Sequence, residues 1–262
     1  MELGLTGRSA LVSGASRGIG AAIAEALARE GCRLHLAARS AEALAALKLR
    51  LEHDYGSKVE VHAIDLSQRG SATELARLAQ GVDILVNNAG AIPRGDLLEI
   101  DEDTWRAGWE LKVFGYINMT RAFYRQMRER GSGVIINIIG LGAEKLEYGY
   151  AAGSTGNAAL VAFTRAVGSA SLDYGVRVLG VNPGTVGTER SVNTLKVRSE
   201  KLNGDAGRWQ ELVADLPGGR MIPPMDIGNA VAFLASDLAG SFCGHIVTID
   251  AGLAARAYTH RR

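Results

Sequence analysis

The sequence predicts an α/β fold, a doubly wound parallel sheet of seven strands flanked by helices, on three observations. Short β-rich runs alternate with helical patterns from end to end of the 262 residues. Most of the strand runs are almost continuously apolar, as strands become when helices cover both faces of their sheet. The connections are short, so each strand returns through a crossover helix and lies parallel to its neighbour.

The first strand run, RSALVS (8–13), leads into the turn SGASRGIG and the helical stretch GAAIAEALARE. RLHLAA (33–38), VEVHAI (59–64) and DILVN (83–87) supply strands two to four. A long helical stretch from 103 to 130 follows, in which Trp105, Trp109 and Phe114 read as core at helical spacing. GVIINI (133–138), VRVLGV (176–181) and HIVTI (245–249) complete the seven, and YGYAAGSTGNAAL (148–160) opens the helix after the fifth. Residues 188–224 separate the last two strands by more than one crossover helix requires. Insertions of that length form lids or binding loops, although a pair of surface helices would fill the same space. No linker or repeat divides the chain, so residues 1–262 read as one domain with a lid insertion at about 188–224.

Composition narrows the function. With 47% hydrophobic and 22% charged residues the chain can bury a full core. Its formal net charge of +1 lacks the basic excess of a polyanion binder, which argues against nucleic acid as a partner. Cys32 and Cys243 are too far apart in sequence to read as a metal-ligand pair, and this usage fits a reducing compartment. The N-terminus lacks the apolar run of a signal peptide, and no apolar stretch approaches the roughly 18 residues that span a bilayer. The expectation is a cytoplasmic protein acting on a small molecule, with no membrane partner.

Polar and glycine clusters follow strand after strand. Gly14, Gly18 and Gly20 sit at the first strand-to-helix turn, Arg39 ends the second strand and Asp65 the third. NNAG (87–90), Gly140 and NPGTVGT (182–188) follow the next three. Ligands of open α/β sheets bind beyond the carboxyl ends of the strands, and glycines let the first turn approach a pyrophosphate at a helix N-terminus. The place where an NAD site carries a carboxylate holds Ala38, with Arg39 next and Arg17 inside the glycine turn. Two guanidinium groups there suit a 2′-phosphate, so the expected cofactor is NADP(H).

From LVSGASRGIG through DILVNNAG and VRVLGVNPGTVGT to HIVTIDAG, the chain resembles the short-chain dehydrogenase/reductase family over essentially its whole length. The resemblance implies a single-domain Rossmann fold and a homo-oligomer, tetramer or dimer. It implies that the loop bearing Gly14, Ser16, Arg17, Gly18, Ile19 and Gly20 holds the phosphates, and that Asp65 and Leu66 lie near adenine. Asn88, Ala89 and Gly90 would lie beside the ribose, and Pro183, Gly184, Val186 and Thr188 around the nicotinamide amide. Asp65 would equally serve to cap a turn.

The family works with an Asn, a Ser, a Tyr and a Lys. The corresponding places here hold Lys112, Gly140, Gly153 and Asn157, and no Tyr-x-x-x-Lys occurs in the chain. The resemblance is therefore to a divergent branch lacking that tetrad. The amine and the amide have exchanged places, which makes Lys112 and Asn157 a candidate catalytic pair; a lysine snorkelling from its helix is the plain alternative. Tyr150 stands three residues before the empty tyrosine place, about 4.5 Å along a helix axis and on nearly the same face, and is the candidate acid. Tyr148, Ser154 and Glu144 have poorer register or reach. Three functions stay open: an NADP(H)-dependent oxidoreductase acting on a small carbonyl, alcohol or conjugated substrate with a rearranged acid-base group, a silent NADP(H)-binding protein, and a non-redox activity built around Lys112.

Overall fold

A computed structural model describes residues 2–256; Met1 and residues 257–262, the ends of the domain expected over 1–262, lie outside it. Seven strands form one sheet: β1 (Ser9–Ser13), β2 (Arg33–Ala38), β3 (Val59–Ala63), β4 (Ile84–Asn87), β5 (Gly133–Ile138), β6 (Val176–Pro183) and β7 (Ile246–Ile249). Their spatial order is β3-β2-β1-β4-β5-β6-β7, and every neighbouring pair is parallel. The chain order reverses between β1 and β4, which opens the crevice at their carboxyl ends. The doubly wound seven-stranded fold expected from the alternation is the fold observed.

Side-chain alternation along the strands divides the core into two layers. Val12, Leu36, Val86, Ile136 and Val181 face α1 (Gly18–Arg29), α2 (Ala41–Tyr55) and α9 (Pro224–Ala235). Leu11, Leu85, Ile135 and Val178 face α3 (Ser71–Leu78) and α5 (Gly115–Arg130). Tyr116 and Ile139 extend that second face toward Leu160 on α6 (Ala151–Ser171). Each such Leu, Ile or Val contributes roughly 1.5–3 kcal/mol by leaving water.

The long helical stretch is interrupted. Helix α4 (Glu102–Trp109) passes through one π-helical turn (Glu110–Phe114) before α5 resumes. Trp109, half-buried, packs against the Val113–Tyr116–Leu160 core, but Trp105 is only half-buried and Phe114 is 47% exposed, so the expectation of a core stripe holds only in part. The extra residue of the π turn shifts the spacing on which that stripe was read.

Buried polar groups fix the layers. Asn87 and Asn137 stand opposite each other on β4 and β5, fully buried. Asn87 Nδ2 donates to Asn137 Oδ1 at 2.9 Å and to Thr120 Oγ1 on α5 at 3.2 Å. Asn137 Nδ2 donates to Thr164 Oγ1 on α6 at 2.9 Å. On β6, the buried Arg177 guanidinium donates to the carbonyls of Leu234, Ala235, Ser236 and Ala239, where α9 ends. Carbonyls at a helix end have no partner within the helix, and here one cation supplies four donors. Arg177→Met should lower the unfolding free energy by about 3–5 kcal/mol in urea titrations, because the carbonyls would stay buried without donors.

Candidate functional site

The site builds on the first turn. Gly14 adopts φ +63°, and a Cβ there would stand 2.8 Å from Ala89 Cα; a Cβ on Gly20 would stand 2.2 Å from the Gly14 carbonyl. Only glycine permits that approach. Asn88 Nδ2 donates to the carbonyls of Ser13 and Gly14, while Ser13 Oγ accepts from the backbone of Asn88 and Ala89. The ends of β1 and β4 are thereby pinned together. Helix α1 starts at Gly18 with no side-chain cap, which leaves its first N–H groups facing the crevice beside Ser16 and Ile19.

At the β2–β3 end, Arg39 is exposed and makes no hydrogen bond or ion pair among the described residues, although its charge helps to stabilise the Asp65 carboxylate. Asp65 Oδ1 accepts from the backbone and the hydroxyl of Ser67, and these bonds hold its pKa below the usual carboxylate range. Asp65 thus caps a turn, while Leu66 is buried beneath it. Arg17 is exposed and pairs with Glu189 at 3.4 Å.

The 188–224 segment is an excursion with a closed neck. Beyond Pro183 and Gly184, Val186 forms a β-bridge with Ile222, and Gly187 N donates to the Ile222 carbonyl at 2.8 Å. Between them lie α7 (Glu189–Asn203) and α8 (Trp209–Ala214). Thr188 caps α7, and its methyl stands 3.2 Å from where a Cβ on Gly18 would lie. In the first turn of α7, Arg190 donates to the carbonyls of Gly90 at 2.8 Å and Ile92 at 3.2 Å. The excursion therefore begins across the glycine turn and is tied to the end of β4.

Lys112 projects from the π turn. Its stem packs on Gly90, where a Cβ would stand 2.8 Å from Lys112 Cδ. Its amine donates to the Ile139 carbonyl at 2.5 Å. Burial, with a smaller repulsion from Arg190, pushes its pKa down to about 7. Asn157, on the second turn of α6, is buried, and its Nδ2 lies 3.1 Å from where a Cβ would stand on either Gly140 or Gly142. Asn157 Oδ1 is buried without a partner among the described residues. Lys112 and Asn157 thus flank the Ile139–Gly140 step, one bonded to its carbonyl and the other against its Cα.

Tyr150 departs from the expected geometry. It precedes α6 with φ −148° and ψ 33°, so the helical offset read from the sequence does not apply. The bridge between Tyr150 and Gly95 holds it in place. Its ring folds back over the helix start, and a Cβ on Gly153 would meet Tyr150 Cζ at 1.9 Å. The same ring lies 3.2 Å from a Cβ position on Gly142. The ring therefore fills the volume that a side chain at 153 would take. Arg94, paired with Glu147, stands 4.6 Å above the ring. Burial raises the Tyr150 pKa, and Arg190 and Arg94 oppose that rise. Of the weaker candidates, Tyr148 is 77% exposed, Ser154 Oγ is buried without a partner among the described residues, and Glu144 accepts from Asn182 and Thr248.

Sequence reading missed Arg190 and Arg94. Arg190 stands two residues beyond NPGTVGT, after Glu189, in the first turn of α7, and no motif marks it.

This is the crevice of a nucleotide-binding α/β fold: glycine turn, uncapped helix start and polar strand ends on one edge. The group expected there meets a backbone cradle with no room for side chains and an amide oxygen lacking a partner, so the residues present fit it. The short chain dehydrogenase family model matches residues 8–198, and the chain belongs to that family. It is 34% identical to galactitol 2-dehydrogenase (L-tagatose-forming) of Cereibacter sphaeroides over 250 residues, covering 95% of each chain. Acetoacetyl-CoA reductase of Shinella zoogloeoides is 32% identical, with 94% of this chain and 98% of that one covered. Among solved structures, L-sorbose reductase of Gluconobacter frateurii complexed with NADPH and L-sorbose superposes with a TM-score of 0.90. That match is 30% identical and covers 98% of this chain and 100% of the other. Dehydrogenase and reductase relatives make the chain an oxidoreductase of the short-chain dehydrogenase type.

The buried amine gives a pH signature. Because the Lys112 pKa is lowered in the folded protein, the unfolded chain binds more protons between about pH 7 and 10.5. Over that window stability should rise with pH by up to about 1.4 kcal/mol per unit relative to Lys112→Met. Urea titrations of both proteins at several pH values measure it.

Proposed function

We propose that the protein is an NADP(H)-dependent oxidoreductase that interconverts a small carbonyl compound and its alcohol through a non-standard acid-base group. The observation that carries this reading is the convergence of Lys112, Asn157 and Tyr150 on the Ile139–Gly142 turn at the end of β5. The chain would then belong to a branch of the family without the usual tetrad.

The cofactor supplies or accepts the hydride. The chain's own residues do the rest. Gly14 to Gly20 and the start of α1 would bind phosphate, and Arg39, whose guanidinium has no hydrogen-bond partner among the described residues, would hold the 2′-phosphate, with Arg17 beside it. Asp65 and Leu66 would border adenine, and Asn88, Ala89 and Gly90 the ribose. Pro183, Gly184, Val186 and Thr188 would frame the nicotinamide end, beneath a lid anchored by Arg190. The partnerless Asn157 amide oxygen would accept a ribose hydroxyl, while Lys112 supplies positive charge from the π turn.

Tyr150 would be the proton donor. Its hydroxyl makes no hydrogen bond among the described residues, and burial keeps it protonated at neutral pH. Arg190 and Arg94 would steady the phenolate left after proton transfer. Two relatives are named for polyols or ketoses, so ketoses such as L-sorbose head the substrate panel. An expected cytoplasmic setting and a homo-oligomeric assembly complete the proposal.

Two measurements test it. Binding titrations should favour NADPH over NADH by about 2–4 kcal/mol, with most of that gap lost in Arg39→Ala. Equal affinities in the unmodified protein would refute the phosphate argument. In ketone reduction assays, Tyr150→Phe should lower kcat by roughly 10²-fold or more while NADPH affinity stays nearly constant, because a proton donor acts mainly in the transition state. Undiminished turnover would remove Tyr150 from the chemistry. NADPH binding with no turnover across the panel would identify a silent binding protein.

A further inference from the structure

At the outer edge of the sheet, on β2 and β3, three side chains meet that neither the core nor the proposed reaction uses. In the β2–β3 register His35 lies opposite Glu60, and Ala37 opposite His62. Alternation places His35, Glu60 and His62 on the same face of the sheet. His35 Nδ1 lies 3.1 Å from His62 Nε2 and 3.7 Å from Glu60 Oε2. The two rings stack with centroids 5.4 Å apart, and one ligand atom from each of the three residues falls within 4.8 Å of the others.

As placed, the two imidazole nitrogens meet head-on, and turning the rings would aim both of them, with the Glu60 carboxylate, at one point. A proton on His35 Nδ1 can satisfy one neighbour well, and a hydrogen bond between two imidazoles explains the 3.1 Å separation alone. It leaves the carboxylate oxygen unexplained. A divalent cation would engage all three. Tetrahedral zinc with bonds of about 2.0–2.1 Å spaces its ligand atoms about 3.3–3.4 Å apart, which the 3.1 and 3.7 Å separations bracket. Two imidazoles with one carboxylate also suit zinc better than magnesium or calcium, which prefer oxygen alone. Access is open, because β3 is the edge strand and the Glu60 side chain is 70% exposed.

We propose that His35, Glu60 and His62 form a zinc-class cation site, completed by water, that clasps edge strand β3 to β2. Cys32 does not compete: it is buried, and burial pushes its thiol up to about 12. The site is separate from the proposed catalytic group and stands whether or not that reading holds.

The test uses the full chain, stripped with a chelator and titrated with zinc chloride alone by calorimetry and by competition with a chromophoric chelator. One ion should bind per chain. At a free concentration about one hundred times Kd, the thermal midpoint should rise by roughly 5 °C. Glu60→Gln, at an exposed position that the fold tolerates, should weaken binding by about tenfold or more, and H35Q/H62Q should abolish the stoichiometric site. Magnesium at the same concentration should leave the midpoint unchanged. The proposal fails if no saturable binding occurs below about 1 mM zinc. It fails equally if H35Q/H62Q binds as tightly as the unmodified chain, or if magnesium matches zinc.

Discussion

The paired amides of Asn87 and Asn137 are the constraint on which the placement of α5 and α6 depends. They lie side by side in the middle of the sheet, where water cannot reach, and each reaches up to a threonine on a different helix. An amide left unpaired there costs more than a typical packing contact, so α5 and α6 have few registers in which the polar atoms are met. Asn87 Oδ1 still lacks a partner among the described residues, so the network is tight but incomplete. Thr120 and Thr164 are the points where that constraint enters the helices. Two turns before Thr164 on α6 stands Asn157, and eight residues before Thr120, within the π turn, stands Lys112. The positions of both polar side chains above β5 thus descend from one buried pair on the sheet.

A second dependence runs along the strand ends. Ser13 and Asn88 lock the glycine turn to β4, Gly90 carries the Lys112 stem, and Arg190 bonds to the carbonyls of Gly90 and Ile92. The loop after β4 is therefore shared by the first turn, the π turn and the first turn of α7. The cations follow the same crowding. Burial, with Arg190 nearby, lowers the Lys112 pKa to about 7, while Arg190 and Arg94 both oppose the rise that burial causes at Tyr150. Arg94 is paired with Glu147, whereas Arg190 is held by backbone carbonyls and makes no ion pair among the described residues.

The sheet was legible because its signal is local: seven apolar runs, each bounded by a turn, admit few arrangements once the connections are short. Strand ends moved by only a residue or two, as where β6 extends to Pro183. The π turn was illegible, because Glu110–Phe114 carries the same residue types as the α-helix around it and only the hydrogen-bond pattern differs. Reading Phe114 as core followed from assuming unbroken α spacing through that turn. Tyr150 was correctly brought near Gly153 but by the wrong route: the sequence suggested a helical neighbour, whereas the chain turns back on itself before the helix begins. Arg190 depends on where a segment without motif crosses the crevice, and no local pattern encodes that. The His35–Glu60–His62 meeting needs the register of two strands far apart in sequence, and so belongs to the pairing rather than to either strand.

The Tyr150 ring over Gly153 also restricts how this site can change over time. Its Cζ and the Cβ of any residue at 153 would claim one location, so the two positions are mutually exclusive. A larger residue at 153 can enter only after the ring has left, and removing the ring first opens a void beside Gly142. Each single step passes through a strained or hollow intermediate. The two sites are thus epistatic in the strict sense: the effect of one substitution changes sign with the identity of the other.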